Sequence, residues 1–306
     1  MPTPIAEFCY GGIRLVGCSL AREETFIVAP EMNLAFDVGR APREVIAVDH
    51  VFLSHGHMDH AAGIAYYFAQ RTNAEQSPGN LYLPAPLVEP VRRMLRSWAD
   101  IDGHEPPAVL HAARPGEDIV LRRDLLVRPF AVNHPCRRPD RGVIDSLGYA
   151  AVETRQKLKE EFHGLTGPQI VALKKKGVAV TRRVELPLVA YCGDTAPGDF
   201  LLLDYVRNAK ILLLECTFVA PEHLDRARAG YHFHVDDLRQ WLPRLNNERI
   251  VLIHLSRRSA LGEAKSILKR ELGALEDERV SFLMESRRRR RPPRRETQVP
   301  NQAEPA

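Results

Sequence analysis

The chain is poor in the features that announce secreted, disulfide-built or membrane proteins. Its five cysteines, Cys9, Cys18, Cys136, Cys192 and Cys216, are odd in number and widely spaced, with no C-x-x-C pair. That excludes a disulfide framework and a thiolate zinc site, and it leads us to expect reduced thiols in a cytoplasmic protein. No apolar run approaches the roughly 20 residues needed to span a bilayer, so no membrane partner is expected. The opening MPTPIAEFCYGG has no basic segment followed by an apolar one, and hence no visible secretory signal. No internal repeat stands out. Surplus charge is scarce as well: the net charge is +4 over 306 residues, and residues 287–306 hold seven arginines against Glu296 and Glu304. That tail therefore carries +5 and leaves −1 for everything before it. With its Arg and Pro content the tail cannot build a core and is expected to be disordered.

What remains is an ordinary soluble composition, 44% hydrophobic and 27% charged, long enough for one large core or two modest ones. Short runs rich in Val, Ile and Leu predict strands at residues 26–28, 34–36, 51–53, 81–83, 125–127, 188–192, 211–214 and 250–254. Helical patterns fall between them at 61–70, 88–98, 235–245 and 262–272. Strands mixed with helices argue an α/β chain with layered sheets. We expect one domain over residues 1–286, the tail beyond it, and a basic insertion at about 153–185. The insertion, ETRQKLKEEFHGLTGPQIVALKKKGVAVTRRVE, has eight Lys or Arg against four Glu and reads as two short helices joined at Gly164–Gly167. Pro168 suits a helix first turn and Gly177 a stop after Lys174, Lys175 and Lys176.

The stretch SHGHMDH, residues 54–60, packs three histidines and an aspartate behind the apolar run Val51–Leu53. A core gains nothing from such groups, which are costly to bury without partners. Further candidates end other strands: His134 in VNHP, Asp194 in VAYCGDT and His254 in IVLIHLS. With His55, His57, Asp59 and His60 they make an imidazole and carboxylate set, suited to two Zn²⁺ or two Mn²⁺ ions. Two such ions roughly 3.5–4 Å apart lower the pKa of a water between them and offset the charge of a phosphodiester.

His-x-His-x-Asp-His followed by a later His, Gly-Asp-Thr and a final His resembles the metallo-β-lactamase superfamily. AFDVGR, LGYAAVETRQKLKEEFHGLTG, LKKKGVAVT, ECTF, HFHVDDL and LIHLS narrow the resemblance to ribonuclease Z, the tRNA 3′-processing endonuclease, in its short plant-like form. The likeness spans roughly residues 10–285. It implies a four-layered αββα sandwich, with His55, His57 and His134 on one zinc, Asp59, His60 and His254 on the second, and Asp194 bridging. It also implies catalytic roles for Asp59, for His234 as the proton donor and for Glu215 as its carboxylate partner. The implied partners are a tRNA precursor, gripped by the basic arm around Gly167-Pro168 with Lys174, Lys175 and Lys176 on its backbone, and a second copy of the chain in a homodimer.

The sequence departs from bacterial members in residues 11–31, which lack their Pro/Lys/Arg-Asn loop, in its short arm, and at Ser259, where a Tyr is common. The alternatives are a hydrolase of a small ester, lactone, thioester or cyclic phosphodiester on the same fold, and a non-catalytic RNA-binding protein. Outside the motifs, His50, His104, His111, His163 and His223 read as surface or structural histidines. His232, two residues from His234, is the one other ring expected to be able to face the site.

Overall fold

The computed structural model of the chain describes residues 4–138, 142–273 and 279–285; the arginine tail and its boundary at residue 286 lie outside the described residues. Two seven-stranded sheets account for the described strands. The first runs in chain order: β1 (Ala6–Tyr10), β2 (Ile13–Leu20), β3 (Glu24–Ala29), β4 (Leu34–Phe36), β5 (His50–Phe52), β6 (Asn80–Pro84) and β7 (Val109–Ala113). The second holds β8 (Ile119–Arg122), β9 (Leu125–Arg138), β10 (Gly142–Leu158), β11 (Thr181–Tyr191), β12 (Ile211–Glu215), β13 (Arg249–Ile253) and β14 (Val280–Phe282), also neighbours in chain order. Each sheet is antiparallel in its first half and parallel in its second, from β4 to β7 and from β11 to β14. Parallel neighbours need long crossovers, and the helices supply them: α1 (Arg43–Ile46), α2 (Met58–Ala61), α3 (Ile64–Asn73) and α4 (Val88–Asp102) in the first half of the chain.

In the second half, α5 (Gly167–Lys175) tips the basic insertion, and α6 (Asp204–Arg207), α7 (Leu224–Gly230), α8 (Val235–Trp241) and α9 (Leu261–Leu272) follow.

Burial in the second sheet alternates with the period of two that a strand dictates. Tyr149, Ala151, Val189, Tyr191, Ile211, Leu213, Val251 and Ile253 join the core shared with the first sheet. Their neighbours Ala150, Val152, Ala190, Leu212, Leu214, Ile250 and Leu252 pack on the other side against Leu238 of α8 and Ala264, Ile267 and Leu268 of α9. Against the first sheet, α3 buries Ile64, Tyr67, Phe68 and Arg71, the i, i+3, i+4, i+7 stripe of an amphipathic helix. Helix, sheet, sheet and helix thus form the four layers of an αββα sandwich. No helix among the described residues is long and apolar enough to cross a membrane.

One expectation fails here. The insertion is not a pair of helices: Glu153–Leu158 continue β10 and pair with Thr181–Leu186 of β11, from Glu153↔Leu186 to Leu158↔Thr181. Only its tip is helical, in the short turn Glu160–Phe162 and in α5. Thr166 and Gln169 form a capping box at the start of α5, Pro168 sits in its first turn, and Gly177 ends it with φ +81°. The arm is a two-stranded ribbon carrying a basic helix.

Candidate metal centre

Several of the parallel strands end at one edge of the two sheets with a polar residue just beyond them, as open α/β sheets do. Asp37 follows β4, His55 and His57 follow β5, Asp194 follows β11 through Gly193, and His254 follows β13. His134 differs from expectation, lying within the long strand β9 rather than after it. His57 stands at the N-terminus of α2, which carries Asp59 and His60. Two of these positions are strained. Asp37 (φ 57°) and His254 (φ 57°) are left-handed without being glycine, a cost that tends to collect at functional sites. Gly193 (φ +60°) has no room for a side chain, because a Cβ there would lie 2.9 Å from Cβ of Ser54.

Potential ligand atoms gather in joined sets. His55, His57, His134 and Asp194 form one; Asp59, His60 and His254 form another. Asp194 touches both: Oδ2 lies 3.8 Å from His55 Nε2 and 3.2 Å from His254 Nε2, and Oδ1 lies 3.4 Å from His60 Nε2. Asp59 Oδ2 is 3.7 Å from His60 Nε2 and 3.4 Å from His254 Nε2.

The far nitrogens of these rings are also engaged. Ser54 Oγ is 2.9 Å from His55 Nδ1, Asp37 Oδ2 is 2.6 Å from His60 Nδ1, and Thr217 Oγ1 is 2.9 Å from His254 Nδ1. The Tyr231 carbonyl accepts from His134 Nδ1 at 3.2 Å. Such partners hold a ring with Nε2 aimed inward, as metal sites do. Asp37 is itself fixed by the Ser54 amide and hydroxyl and by the phenol of Tyr191.

This constellation fits a divalent cation. His60 Nε2 and Asp194 Oδ1 are buried and make no hydrogen bond, although they face each other; buried polar atoms without partners are rare. Burial, followed by neighbouring rings, keeps His55, His57 and His134 below the usual histidine range, so these rings offer free lone pairs. Burial pulls His60 down too, but Asp194 and Asp37 lift it well above that range. Burial opposes the charge on Asp194, yet His254 and His60 hold its carboxyl well below the carboxylate range.

The two remaining sequence candidates separate. Glu215, wholly buried at the end of β12, accepts from the Thr195 amide at 2.6 Å, from the Phe233 amide at 3.2 Å and from Thr217. Its other partner is not His234 but His232, whose Nδ1 donates to Oε1 at 2.8 Å. Burial lowers the His232 pKa, but the Glu215 carboxylate outweighs it and raises the ring to about 9. The ring of His232 stacks on His254 with centroids 5.4 Å apart, and with Asp194 and His254 it makes a third potential ligand set.

His234 is turned away: Nδ1 accepts from the Asp236 amide at 3.2 Å, and Nε2 donates to the Ala220 carbonyl at 3.0 Å. Both nitrogens are used in capping α8 and pinning the loop before it, which removes His234 from the site. Of the two rings in HFH it is His232, not the expected His234, that lies against the ligand sets. Lys174, Lys175 and Lys176 are exposed at the arm tip. Near the cluster, the turn joining β2 to β3 lies in residues 11–31, where the bacterial loop is lacking, and Arg22 donates its amide to Asp59 Oδ2 at 2.8 Å.

Fold and site define a member of the metallo-β-lactamase superfamily, and residues 15–159 match a family model described as a beta-lactamase superfamily domain. The chain is 34% identical over 256 residues to tRNase Z TRZ1 of Arabidopsis thaliana, covering 82% of this chain and 88% of that protein. It belongs to the tRNase Z, or ribonuclease Z, family. Among solved structures, the metallo-beta-lactamase fold protein YhfI from Bacillus subtilis is similar with TM-score 0.56 and 16% identity over 92% of this chain and 96% of that one. The short form of human tRNase Z follows at TM-score 0.51 and 18% identity, over 84% and 92%. These two similarities speak for the fold.

Proposed function

We propose that the chain is a zinc-dependent endoribonuclease that removes the 3′ trailer from tRNA precursors. The observation that carries this reading is the His232–Glu215 pair beside two ligand sets joined by Asp194. A hydrolase of activated esters needs no dedicated proton donor, whereas an RNA 3′ oxygen leaves as a strong base. Identity to tRNase Z TRZ1 over most of both chains supports the substrate.

In this reading His55, His57 and His134 would hold one ion and Asp59, His60 and His254 the other, with Asp194 within reach of both sets. Two zinc ions, or manganese in their place, supply when bound a water of lowered pKa and a polarised phosphate. Asp59, anchored by the Arg22 amide, would orient the attacking water and receive its proton. The water oxygen bonds to phosphorus and the P–O3′ bond breaks. The departing O3′ keeps the electron pair and takes a proton from His232, worth typically about 10²–10⁴-fold in rate. Glu215 keeps that ring charged and oriented, and His234 holds α8 and the loop behind it.

Lys174, Lys175 and Lys176 bind RNA backbone at a distance from the chemistry. We take the working unit to be a homodimer in which one subunit's arm holds the tRNA for the other's site. The cytoplasm is the expected compartment, in keeping with the free, buried thiols of Cys18, Cys192 and Cys216.

The test is turnover of a 3′-extended tRNA precursor and of a small phosphodiester by the zinc-loaded protein. Specific cutting at the trailer junction is expected. Turnover of the small ester alone would assign a small-molecule hydrolase instead, and binding without turnover an RNA-binding protein.

A further inference from the structure

A cleft of about 780 Å³ opens beside the cluster, lined by His232 and His254 but by none of His55, His57 and His134. Its volume lies within the roughly 300–1,000 Å³ of small-ligand sites, and its walls are basic. Arg22, Arg226, Arg257 and Arg258 line it against a single acid, Glu23. Arg257 is paired with Glu23 at 2.6 Å, whereas Arg22, Arg226 and Arg258 make no ion pair among the described residues. These three come from separate pieces of chain: the β2–β3 turn, α7 and the loop after β13. Convergence from three elements on one cavity is more than a solvated charged face supplies.

The cleft also has an aromatic wall. Phe218 is half-buried, and its ring stands edge-on to His232 at 6.1 Å. Its backbone is clamped: its amide donates to the Phe233 carbonyl at 3.3 Å, and its carbonyl accepts from the Val235 amide at 3.0 Å. The ring is thus carried on a fixed backbone beside His232, with part of its surface open to receive a base.

We propose that this cleft is the subsite for the nucleotide whose 3′ oxygen departs, with its base on Phe218 and its backbone phosphates on Arg22, Arg226 and Arg258. The assignment of side rests on the endoribonuclease reading above. The proton donor must stand at the departing oxygen, so the ribose carrying that oxygen lies on the His232 side of the cluster, where the cleft opens. The downstream nucleotide then leaves by another route. A stacked base and paired cations are the usual means of holding single-stranded RNA at low sequence specificity.

The test uses zinc-loaded full-length protein and two altered tRNA precursors, abasic at the nucleotide immediately upstream or immediately downstream of the cut. In wild type the upstream abasic change is expected to lower kcat/KM about tenfold or more, the order of one base–aromatic stack. In Phe218→Leu that upstream penalty should nearly vanish, while the downstream penalty stays at its wild-type size. Arg226→Ala should lower the slope of log kcat/KM against log salt by about 0.7, the share of one single-strand phosphate contact. Where Phe218→Leu does not fold, 2-aminopurine in wild-type single turnovers decides: the upstream probe should be quenched before cleavage and the downstream probe should not.

An upstream penalty unchanged by Phe218→Leu, or a downstream penalty that shrinks instead, would overturn the assignment with cleavage intact. Wild type that does not cut the unmodified precursor at all would fail the endoribonuclease reading itself.

Discussion

His232 and His234 differ by two residues and occupy different worlds. In His-Phe-His, alternation would place both rings on one face, yet α8 begins after His234 and bends its ring into the cap. Nothing in the string HFHVDDL distinguishes a ring facing a cluster from one facing a helix end. The distinction lies in Glu215, which is remote in sequence and adjacent only in the fold. We therefore expect His232→Ala to retain bound metal and precursor affinity while losing about 10²–10⁴-fold in cleavage rate. A nitrophenyl diester, whose leaving group needs no proton, should be far less affected. His234→Ala should instead lower stability by the roughly 0.5–2 kcal/mol of a lost helix cap, read as a lower melting temperature, and cost little in rate beyond that. Equal rate losses in the two variants would reject the separation.

Proton linkage of the same pair is measurable without substrate. The folded pKa of His232, about 9, lies above the ordinary histidine value. Its contribution to stability is therefore fully present below about pH 6.5 and is lost as pH rises through 9. In chelated protein, the difference in melting temperature between wild type and Glu215→Gln should narrow over that window. A gap that stays constant or widens would mean that Glu215 does not hold a charged ring.

Among elements, the strands beside the cluster were legible because they are core. Val51–Leu53, Leu34–Phe36 and Ile250–Ile253 are apolar through and through, as strands buried on both faces are, and all are buried. The ribbon of the arm is illegible in the sequence for the opposite reason. Beyond Glu153, β10 pairs only with β11 and not with β9, so no core imposes an alternation on RQKLKEEF. Charged residues free of burial fit a helix as well as a strand, and only cross-strand pairing decides. Helix α5, by contrast, carried its own punctuation in Thr166, Pro168 and Gly177.

If the arm tip binds RNA backbone, replacing Lys174, Lys175 and Lys176 together by Glu should raise KM for the tRNA precursor and flatten its salt dependence. A salt dependence equal to wild type would remove the arm from recognition. A further element-level prediction concerns Arg71. It is buried in α3, donates to the carbonyls of Ile46 and Val48 at 2.8 Å and of Ser77 at 3.0 Å, and pairs with Asp49. It ties α3 to the segment entering β5 and hence to the loop of His55 and His57. Arg71→Met leaves those acceptors unsatisfied and should destabilise the fold by about 2–4 kcal/mol, read by denaturant titration.

At the scale of the molecule, two sheets must meet at one edge for the seven expected ligand residues to converge. His55, His57, Asp59 and His60 come from the first sheet's half of the chain, and His134, Asp194 and His254 from the second. Spacing alone could name the local His-x-His-x-Asp-His but not the outer partners. Ser54 adjoins His55 in sequence, but Asp37, Thr217 and Tyr231 reach His60, His254 and His134 only once distant segments of the chain have been brought side by side. Asp194, which reaches both sets, should be the residue whose loss is felt across the site. Elemental analysis should find two zinc ions per chain in wild type and a marked loss in Asp194→Ala.

The account as a whole rests on how the RNA is cut. End-group analysis of the products from a 3′-extended tRNA precursor tests it most directly, with and without chelator. The account predicts a 3′-hydroxyl on the tRNA and a 5′-phosphate on the trailer, with cleavage abolished by chelation and restored by zinc. A 2′,3′-cyclic phosphate on the tRNA, or cleavage indifferent to chelation, would contradict it.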